Sequence, residues 1–203
     1  MSKEIIISFD DLWTGNDHWE EFERLYKEFP DIKITFFVIT GNCSEEFLYA
    51  IKQPWSELVF HSYEHSGDWQ FWSIEDTKKY LLDTQKWGFV KGFKTPANKW
   101  SAEHVKACDE IDYWICASTS VPVEAKRYWH SPANEGLTKY AHKDYDEYYD
   151  HLQNKEFFSN LEILKNYLRE TKPIYKFISE KVITNTNKTY EQTNNSYYWK
   201  RVY

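Results

Sequence analysis

At 203 residues the chain is long enough to bury the core of one domain, and 41% hydrophobic with 28% charged residues is an ordinary globular composition. A net charge of −7 argues against a nucleic-acid partner, whose phosphates favour a basic surface, and no apolar stretch reaches the length of a membrane span. Three cysteines without a C-x-x-C spacing argue against a disulfide framework or a cysteine zinc site. The odd number of cysteines and an N-terminus unlike a secretory signal predict a cytoplasmic location.

Short β-branched or aromatic runs alternate with amphipathic segments over the first part of the chain. The runs predict buried strands at residues 4–9, 32–39, 58–60, 92–94 and 113–117. The amphipathic segments predict helices at residues 17–29, 44–52, 73–87 and 101–110. We expect Asn16 or Asp17 to cap the first helix, and Ser73 with Asp76 to form a capping box on the third. This alternation is typical of an α/β fold with a parallel sheet or barrel and helices outside it.

The last part of the chain is less regular. Residues 121–152 have no helical period and many aromatics, which predicts strands or long loops. A helix is expected at residues 156–169 and a last strand at residues 174–183. We therefore expect a single domain over residues 1–183, followed by a polar surface tail at residues 184–203.

An acidic pair, Asp10 and Asp11, directly follows the first predicted strand. Ligand sites in parallel α/β folds form beyond the carboxyl ends of the strands. Two adjacent carboxylates are unfavourable there unless a cation or a division of roles separates them. One could bind a metal while the other acts as a base, although the pair alone is more typical of an acidic loop that caps the next helix.

Two histidines, His61 and His65, follow the third predicted strand. A spacing of four puts both imidazoles on one side of a helical turn, as zinc ligation needs, and neutral imidazole also suits cobalt and nickel. Alone they could be unrelated polar residues. Together with the acidic pair they offer three ligands and an open position, which is the layout of a catalytic rather than a structural metal.

Four segments resemble the motifs of the polysaccharide deacetylases, carbohydrate esterase family 4, which contain the NodB-homology domain. The segment ISFDD at residues 7–11 resembles the first motif, usually T-F-D-D-G, and ITFFV at 34–38 resembles the next strand, typically A-T-F-F-V. The segment HSYEH at 61–65 matches the metal motif H-S/T-x-x-H, and GFKTPA at 92–97 resembles the motif F-R-x-P. The order and spacing also fit, and the resemblance covers about residues 4–183.

The resemblance implies a single-domain, distorted (β/α) barrel of about seven strands and a metal-dependent hydrolase that removes N-acetyl groups from an amino sugar or polysaccharide. It implies that Asp11, His61 and His65 hold a divalent metal, with zinc favoured over cobalt or nickel. Asp10 would be the general base that activates the attacking water, and the metal with a backbone N–H would stabilise the oxyanion. A histidine from the last motif would protonate the leaving amine.

Three histidines lie where that general acid is expected: His130, His142 and His151. His151 is favoured because the helix predicted from residue 156 follows it, and because its context, DHLQN, resembles an H-x-x-N variant of the motif. His130 and His142 remain alternatives. Each of the three could instead be an ordinary surface or hydrogen-bonding histidine.

Two positions depart from the family pattern. Leu12 stands where glycine usually follows the acidic pair, so the loop must differ. Lys94 stands where an arginine usually orients the catalytic aspartate. Lysine keeps the charge but loses the bidentate fork, so we expect Lys94 to hold Asp10 less rigidly and to border the bound substrate.

These departures favour an alternative, a carbohydrate-binding protein on a degenerate deacetylase scaffold. A further alternative is the hydrolysis of another non-peptide C–N bond. Aromatics form 19% of the chain, and although most must fill the core, their flat faces are also compatible with a carbohydrate partner. The expected substrate is a small or intracellular glycan, or a glycan reached after cell lysis by a phage-encoded enzyme.

Overall fold

The computed structural model describes residues 3–16, 18–118, 125–131, 135–138 and 145–184. Five helices are described: α1 (Trp19–Glu28), α2 (Glu45–Ala50), α3 (Ile74–Asp83), α4 (Ala102–Glu110) and α5 (Phe157–Thr171). The strands in these ranges are β1 (Glu4–Leu12), β2 (Ile34–Val38), β3 (Ser56–Phe60), β4 (Gly92–Phe93), β5 (Trp114–Ser118), β6 (Arg127–Ser131), β7 (Gly136–Thr138), β8 (Tyr145–His151), β9 (Ile174–Lys176) and β10 (Ile183–Thr184).

Seven of these strands run parallel in one curled sheet, in the order β6-β5-β4-β3-β2-β1-β8. The edges carry two short antiparallel strands, β10 beside β6 and β7 beside β8, and β9 adds parallel pairs to the start of β1. Within the described ranges no ladder joins the two edges, so the sheet is an open half-barrel. The expected distorted (β/α) barrel is confirmed.

The sheet separates two apolar cores. The larger core lies between the sheet and the helices and includes Phe9, Phe36 and Tyr148. The smaller core fills the concave inner face and includes Phe37 and Trp114. Because neighbouring strand residues point to opposite faces, strands buried on both faces read as continuous apolar runs, which made them predictable.

The start of α1 differs from the prediction. Its N-cap is His18, which has a left-handed φ of 41° and no side-chain cap. Asn16 therefore does not cap the helix. When its amide is oriented to pair both polar atoms, Asn16 bonds the Leu152 carbonyl and the Gln153 backbone N–H instead. Asp17, the other expected cap, lies outside the described residues.

The capping box of α3 is confirmed, with Ser73 and Asp76 each bonding the other's backbone N–H. The α-helix is shorter than residues 73–87, because the turn Thr84–Trp87 tightens to a 3₁₀ helix and ends at Gly88 with φ 79°.

None of the helices in the described ranges is long and apolar enough to cross a bilayer.

The prediction of one strand over residues 174–183 is wrong. The segment divides into β9, a 3₁₀ turn (Ile178–Glu180) and β10. Ile178 is buried in the inner core, and its backbone N–H donates to Thr35 Oγ1 at 3.2 Å. The next N–H, of Ser179, donates to the buried Glu57 carboxylate at 3.3 Å. These bonds pull the segment into the half-barrel and interrupt its pairing.

Residues 121–152 contribute β6, β7 and β8, as expected for strands and loops. Residues 121–124, 132–134 and 139–144 of that segment, including His142, lie outside the described residues. The predicted tail also lies outside them from residue 185 onward.

Candidate active site

The acidic pair lies at the end of β1, where the strand is irregular. Its pairing with β2 shifts between Phe9 and Leu12, and Asp11 has a left-handed φ of 63°. Successive strand residues normally point to opposite faces, but this bulge turns both carboxylates toward His61. His61 Nε2 lies 3.8 Å from Asp10 Oδ2 and 3.4 Å from Asp11 Oδ1. Leu12 continues the strand, and its side chain is buried in the outer core. The backbone directly after the acidic pair is therefore extended.

Asp11, His61 and His65 offer three ligand atoms within 4.8 Å of one another. His65 Nε2 is 3.3 Å from Asp11 Oδ1, which is buried and has no hydrogen-bond partner among the described residues. His61 Nδ1 lies 2.9 Å from the Lys94 carbonyl, to which it can donate, and this leaves the lone pair of Nε2 facing Asp11. An orphaned carboxylate oxygen between two imidazoles fits a divalent cation.

Asp10 is paired with a buried lysine from the end of β4. Lys94 Nζ lies 2.9 Å from Oδ1 and 2.8 Å from Oδ2, and the lysine is 1% exposed. Its ammonium also lies over the rings of Phe37 (4.6 Å) and Tyr149 (4.3 Å). The expected contact with Asp10 is present. Because Lys94 is buried beneath that carboxylate, this geometry does not support the expected substrate contact, which stays a prediction.

The electrostatics of the site keep both aspartates ionised. Burial alone would raise the pKa of Asp10, but the charges of Lys94, His61 and His151 lower that pKa below its ordinary value. Burial opposes ionisation of Asp11 as well, and its contacts with His61 hold its pKa well below the usual range. Burial lowers the pKa of His61, whereas the two carboxylates raise it above normal. A cation bound at this cluster would require neutral His61.

His151, at the end of β8, pairs in register with Asp10 and lies close to it. Its Nε2 is 3.6 Å from Asp10 Oδ2, and the Tyr149 hydroxyl lies between them, donating to Asp10 at 2.8 Å and 3.1 Å from His151 Nε2. Since the phenol has one proton, its oxygen accepts from Nε2–H. The other ring nitrogen, Nδ1, lies 2.5 Å from Glu135 Oε1, a carboxylate that can only accept. This arrangement therefore matches the protonated form of His151.

The other two histidines are placed differently. His130 lies on β6, paired with Ala117, whose side chain belongs to the outer core. Its ring packs beside Tyr128 with centroids 5.0 Å apart, on the face of the sheet opposite to Asp10. The position of His142 is outside the described residues. His151 is thus the candidate that the described geometry brings to the acidic pair.

Sequence reasoning missed several residues of the site. Tyr149 bridges Asp10 and His151, and Gln153 donates its side-chain N–H to Asp11 Oδ2. The period-2 alternation of β8 puts Tyr149 on the same face as His151, which is a signal that could have identified it. Gln153 lies in the turn directly after the strand, where no periodic pattern predicts the direction of its side chain.

No protein-family model matches the sequence, and no curated protein matches it. Solved structures do match. A family 4 acetyl xylan esterase from Clostridium thermocellum, solved with a cobalt ion, is 17% identical with a TM-score of 0.58, covering 88% of this chain and 89% of that one. The Bc1960 peptidoglycan N-acetylglucosamine deacetylase is 14% identical with a TM-score of 0.58, covering 87% and 86%.

A wild-type pseudoenzyme of the same esterase family from Bacillus anthracis is also similar. It is 18% identical with a TM-score of 0.61, covering 88% of this chain and 65% of that one. At these identities the similarity concerns the fold. The chain has the fold of the polysaccharide deacetylases, as its motifs predict.

Proposed function

We propose that this chain, with its carbohydrate esterase family 4 fold, is a metal-dependent hydrolase that removes N-acetyl groups from an amino sugar or glycan. The observation that carries the proposal is the combination of groups around Asp10. An ionised, buried carboxylate lies beside a three-residue cation site and 3.6 Å from a histidine. A base, a Lewis-acid site and an acid within one site are the parts that amide hydrolysis needs.

In this proposal Asp11, His61 and His65 hold a divalent metal. One carboxylate with two imidazoles suits zinc, with cobalt or nickel as alternatives, and the cobalt-bound esterase supports a divalent ion. When bound, such a metal lowers the pKa of water and polarises the acyl carbonyl.

The remaining steps belong to the chain's own side chains. Asp10 takes the proton of the attacking water, and Lys94 keeps Asp10 ionised and fixed. His151, protonated between Tyr149 and Glu135, donates a proton to the leaving nitrogen. Proton transfer by such a positioned group contributes typically about 10²- to 10⁴-fold to the rate.

The test is acetate release from N-acetylglucosamine oligomers after metal analysis of the purified protein and titration with zinc or cobalt. We expect turnover that depends on the added metal, and an Asp10→Asn variant that keeps the metal but loses turnover by about 100-fold or more. Metal binding without acetate release from any glycan would contradict the proposal.

The general acid is tested by comparing His130→Ala, His142→Ala and His151→Ala in the same assay. Loss of turnover is expected in the His151 variant, with the other two close to the unsubstituted protein. Normal turnover of His151→Ala would eliminate this assignment.

Two other functions have support. Carbohydrate binding without catalysis is favoured by the pseudoenzyme that shares the fold and by the departures at Leu12 and Lys94, but the ionised Asp10 beside an intact donor set counts against it. Hydrolysis of another non-peptide C–N bond would use the same groups, and release of a different acid from a sugar-free amide would identify it. We also propose a cytoplasmic location, or a phage-encoded enzyme that meets its glycan at lysis.

A further inference from the structure

A cleft of about 500 Å³ opens beside the metal-ligand cluster. It shares Asp11 and His65 with that cluster, so whatever binds in the cleft lies against the proposed metal. Its other walls come from the loop after β1, the turn after β2 and the turn after β8, and include Trp13, Asn16, Asn42 and Gln153. The volume lies within the range of small-molecule sites.

Trp13 supplies a flat apolar wall, which depends on the glycine two residues later. A Cβ on Gly15 would lie 2.4 Å from Cζ3 and 2.6 Å from Cη2 of the indole, so the ring lies directly over the loop backbone. The described residues place no aromatic ring or cation against this indole. A half-buried aromatic face that lines a cleft is suited to packing against the C–H face of a ligand ring.

Three carboxamides border that face, and those of Asn42 and Gln153 keep atoms that can bond a ligand. Gln153 donates to Asp11 through its amide nitrogen, and Asn16 is tied to the backbone at Leu152 and Gln153. Asn42 is exposed and makes no side-chain hydrogen bond with the described part of the chain. Carboxamides both donate and accept, which matches hydroxyl groups.

Apart from His65, which is assigned to the proposed metal, the cleft has no basic side chain. No lysine or arginine lines its walls in the described ranges, so a phosphate or carboxylate would lack a charged side-chain partner there. A neutral ligand with many hydroxyls fits the aromatic wall and the amides of Asn42 and Gln153.

We propose that the Trp13 cleft is a sugar subsite, in which a pyranose ring packs on the Trp13 indole and its hydroxyls bond Asn42 and Gln153. This inference rests on the proposed function, because a sugar held there lies beside Asp11 and His65, the proposed metal ligands. It assigns the specificity of the chain to the loop where Leu12 replaces the usual glycine.

The test is calorimetric titration of the zinc-loaded Asp10→Asn protein with the N-acetylglucosamine tetramer. The Asp10→Asn substitution suppresses turnover, so that the titration measures binding alone. Adding Trp13→Ala should weaken binding by about tenfold or more, a difference of about 1.4 kcal/mol, and Trp13→Tyr should restore part of it. Gly15→Ala should also weaken binding, because the new methyl displaces the indole. Tyr49→Ala, on the exposed face of α2 and outside the cleft, is the matched control and should bind normally.

Unchanged binding in the Trp13→Ala protein, or no binding of the tetramer before Trp13 is changed, would overturn the subsite. Acetate release by the unsubstituted protein is measured in parallel, so that the two proposals fail separately. Binding that depends on Trp13, without acetate release, would contradict the proposed deacetylase activity and support the subsite. Acetate release with binding that does not depend on Trp13 would contradict the subsite alone.

Discussion

The Tyr149 hydroxyl lies between the two groups to which we assign proton transfer, at 2.8 Å from Asp10 and 3.1 Å from His151. Removing that oxygen leaves both groups in place but frees them to move relative to each other. We expect Tyr149→Phe to lower kcat by about tenfold to 100-fold with KM little changed, because a misplaced proton donor slows the chemical step.

The matched control for Tyr149 is its neighbour on the strand. Tyr148 is also fully buried, but its hydroxyl bonds Asp150 at 3.1 Å and its ring packs in the outer core. Tyr148→Phe should leave kcat within about twofold, since it removes a hydrogen bond of similar length from the opposite face and leaves Asp150 its donors from His151, Asn154 and Asn160. Equal losses in the two variants would mean that Tyr149 acts through packing alone.

Lys94 is expected to set the working pH range of Asp10. Without the ammonium, burial raises the pKa of Asp10, and the carboxylate must lose its proton to act as a base. Lys94→Ala should therefore move the acidic limb of the pH–rate profile to higher pH and lower turnover at neutral pH by about 100-fold. Lys91→Ala, at an exposed position, is the control, and unchanged turnover in Lys94→Ala would show that this role is wrong.

The candidate site residues that the sequence predicts and the structure brings together share one property. Asp10, Asp11 and His61 follow predicted strands, so the sheet order alone brings them to one edge. Glu135 and Gln153 come from segments without a periodic pattern. Their contacts with His151 and Asp11 depend on how β8 packs beside β1, which the sequence pattern does not give. Sequence therefore predicts which strand ends meet, but not the hydrogen bonds that orient them.

At the scale of elements, the end of β8 is held to α5 by the fully buried Asp150. Its carboxylate accepts hydrogen bonds from the His151 backbone N–H at 2.9 Å, Asn154 at 2.7 Å and Asn160 at 2.9 Å. Asp150→Ala would leave these half-buried donors and the buried Tyr148 hydroxyl without their acceptor, and a buried group left unpaired costs about 1–3 kcal/mol. We expect it to lower the free energy of unfolding by about 3 kcal/mol or more, measured in urea, and to lower kcat because His151 loses its anchor.

The control is Asp31→Ala, an exposed aspartate that should change the free energy of unfolding by less than about 0.5 kcal/mol. If Asp150→Ala were equally mild, the connection between β8 and α5 would not depend on this carboxylate.

The predictability of the elements follows from where their side chains are buried. β2 is buried at every position, and the resulting apolar run is visible in the sequence. Residues 174–183 are also apolar at intervals, yet the strand breaks because Ile178 enters the inner core and its backbone bonds Thr35. A period-2 pattern cannot distinguish a segment that pairs in the sheet from one whose side chains insert into the core, since both bury alternate residues.

At the scale of the whole molecule, a buried acid links stability to pH. Glu147 is 1% exposed in the inner core, and burial raises its pKa to about 8 despite the Trp129 N–H at 3.4 Å and the charge of Lys94. A carboxyl that keeps its proton when folded contributes stability below the ordinary value of 4.5, and this contribution is lost as pH rises toward 8.

Replacing Glu147 with glutamine removes this dependence. We expect the free energy of unfolding of Glu147→Gln to rise relative to the unsubstituted protein between pH 5 and pH 8, by up to about 1.4 kcal/mol for each pH unit. Glu23→Gln, on the exposed face of α1, should track the unsubstituted protein at every pH. A constant difference between Glu147→Gln and the unsubstituted protein across this range would refute a protonated Glu147 in the folded state.

Metal binding is the property that joins the site to the stability of the whole fold. A ligand that binds only the folded state at 100 times its Kd stabilises by about 2.7 kcal/mol, which for a domain of this size raises Tm by about 5 to 10 °C. We expect zinc to raise Tm in thermal unfolding and a chelator to reverse the change. Asp11→Asn and His65→Ala should lose most of the increase, whereas Asp10→Asn should keep it, because Lys94 rather than the cation neutralises Asp10. An increase retained by Asp11→Asn and lost in Asp10→Asn would exchange the roles of the two adjacent aspartates.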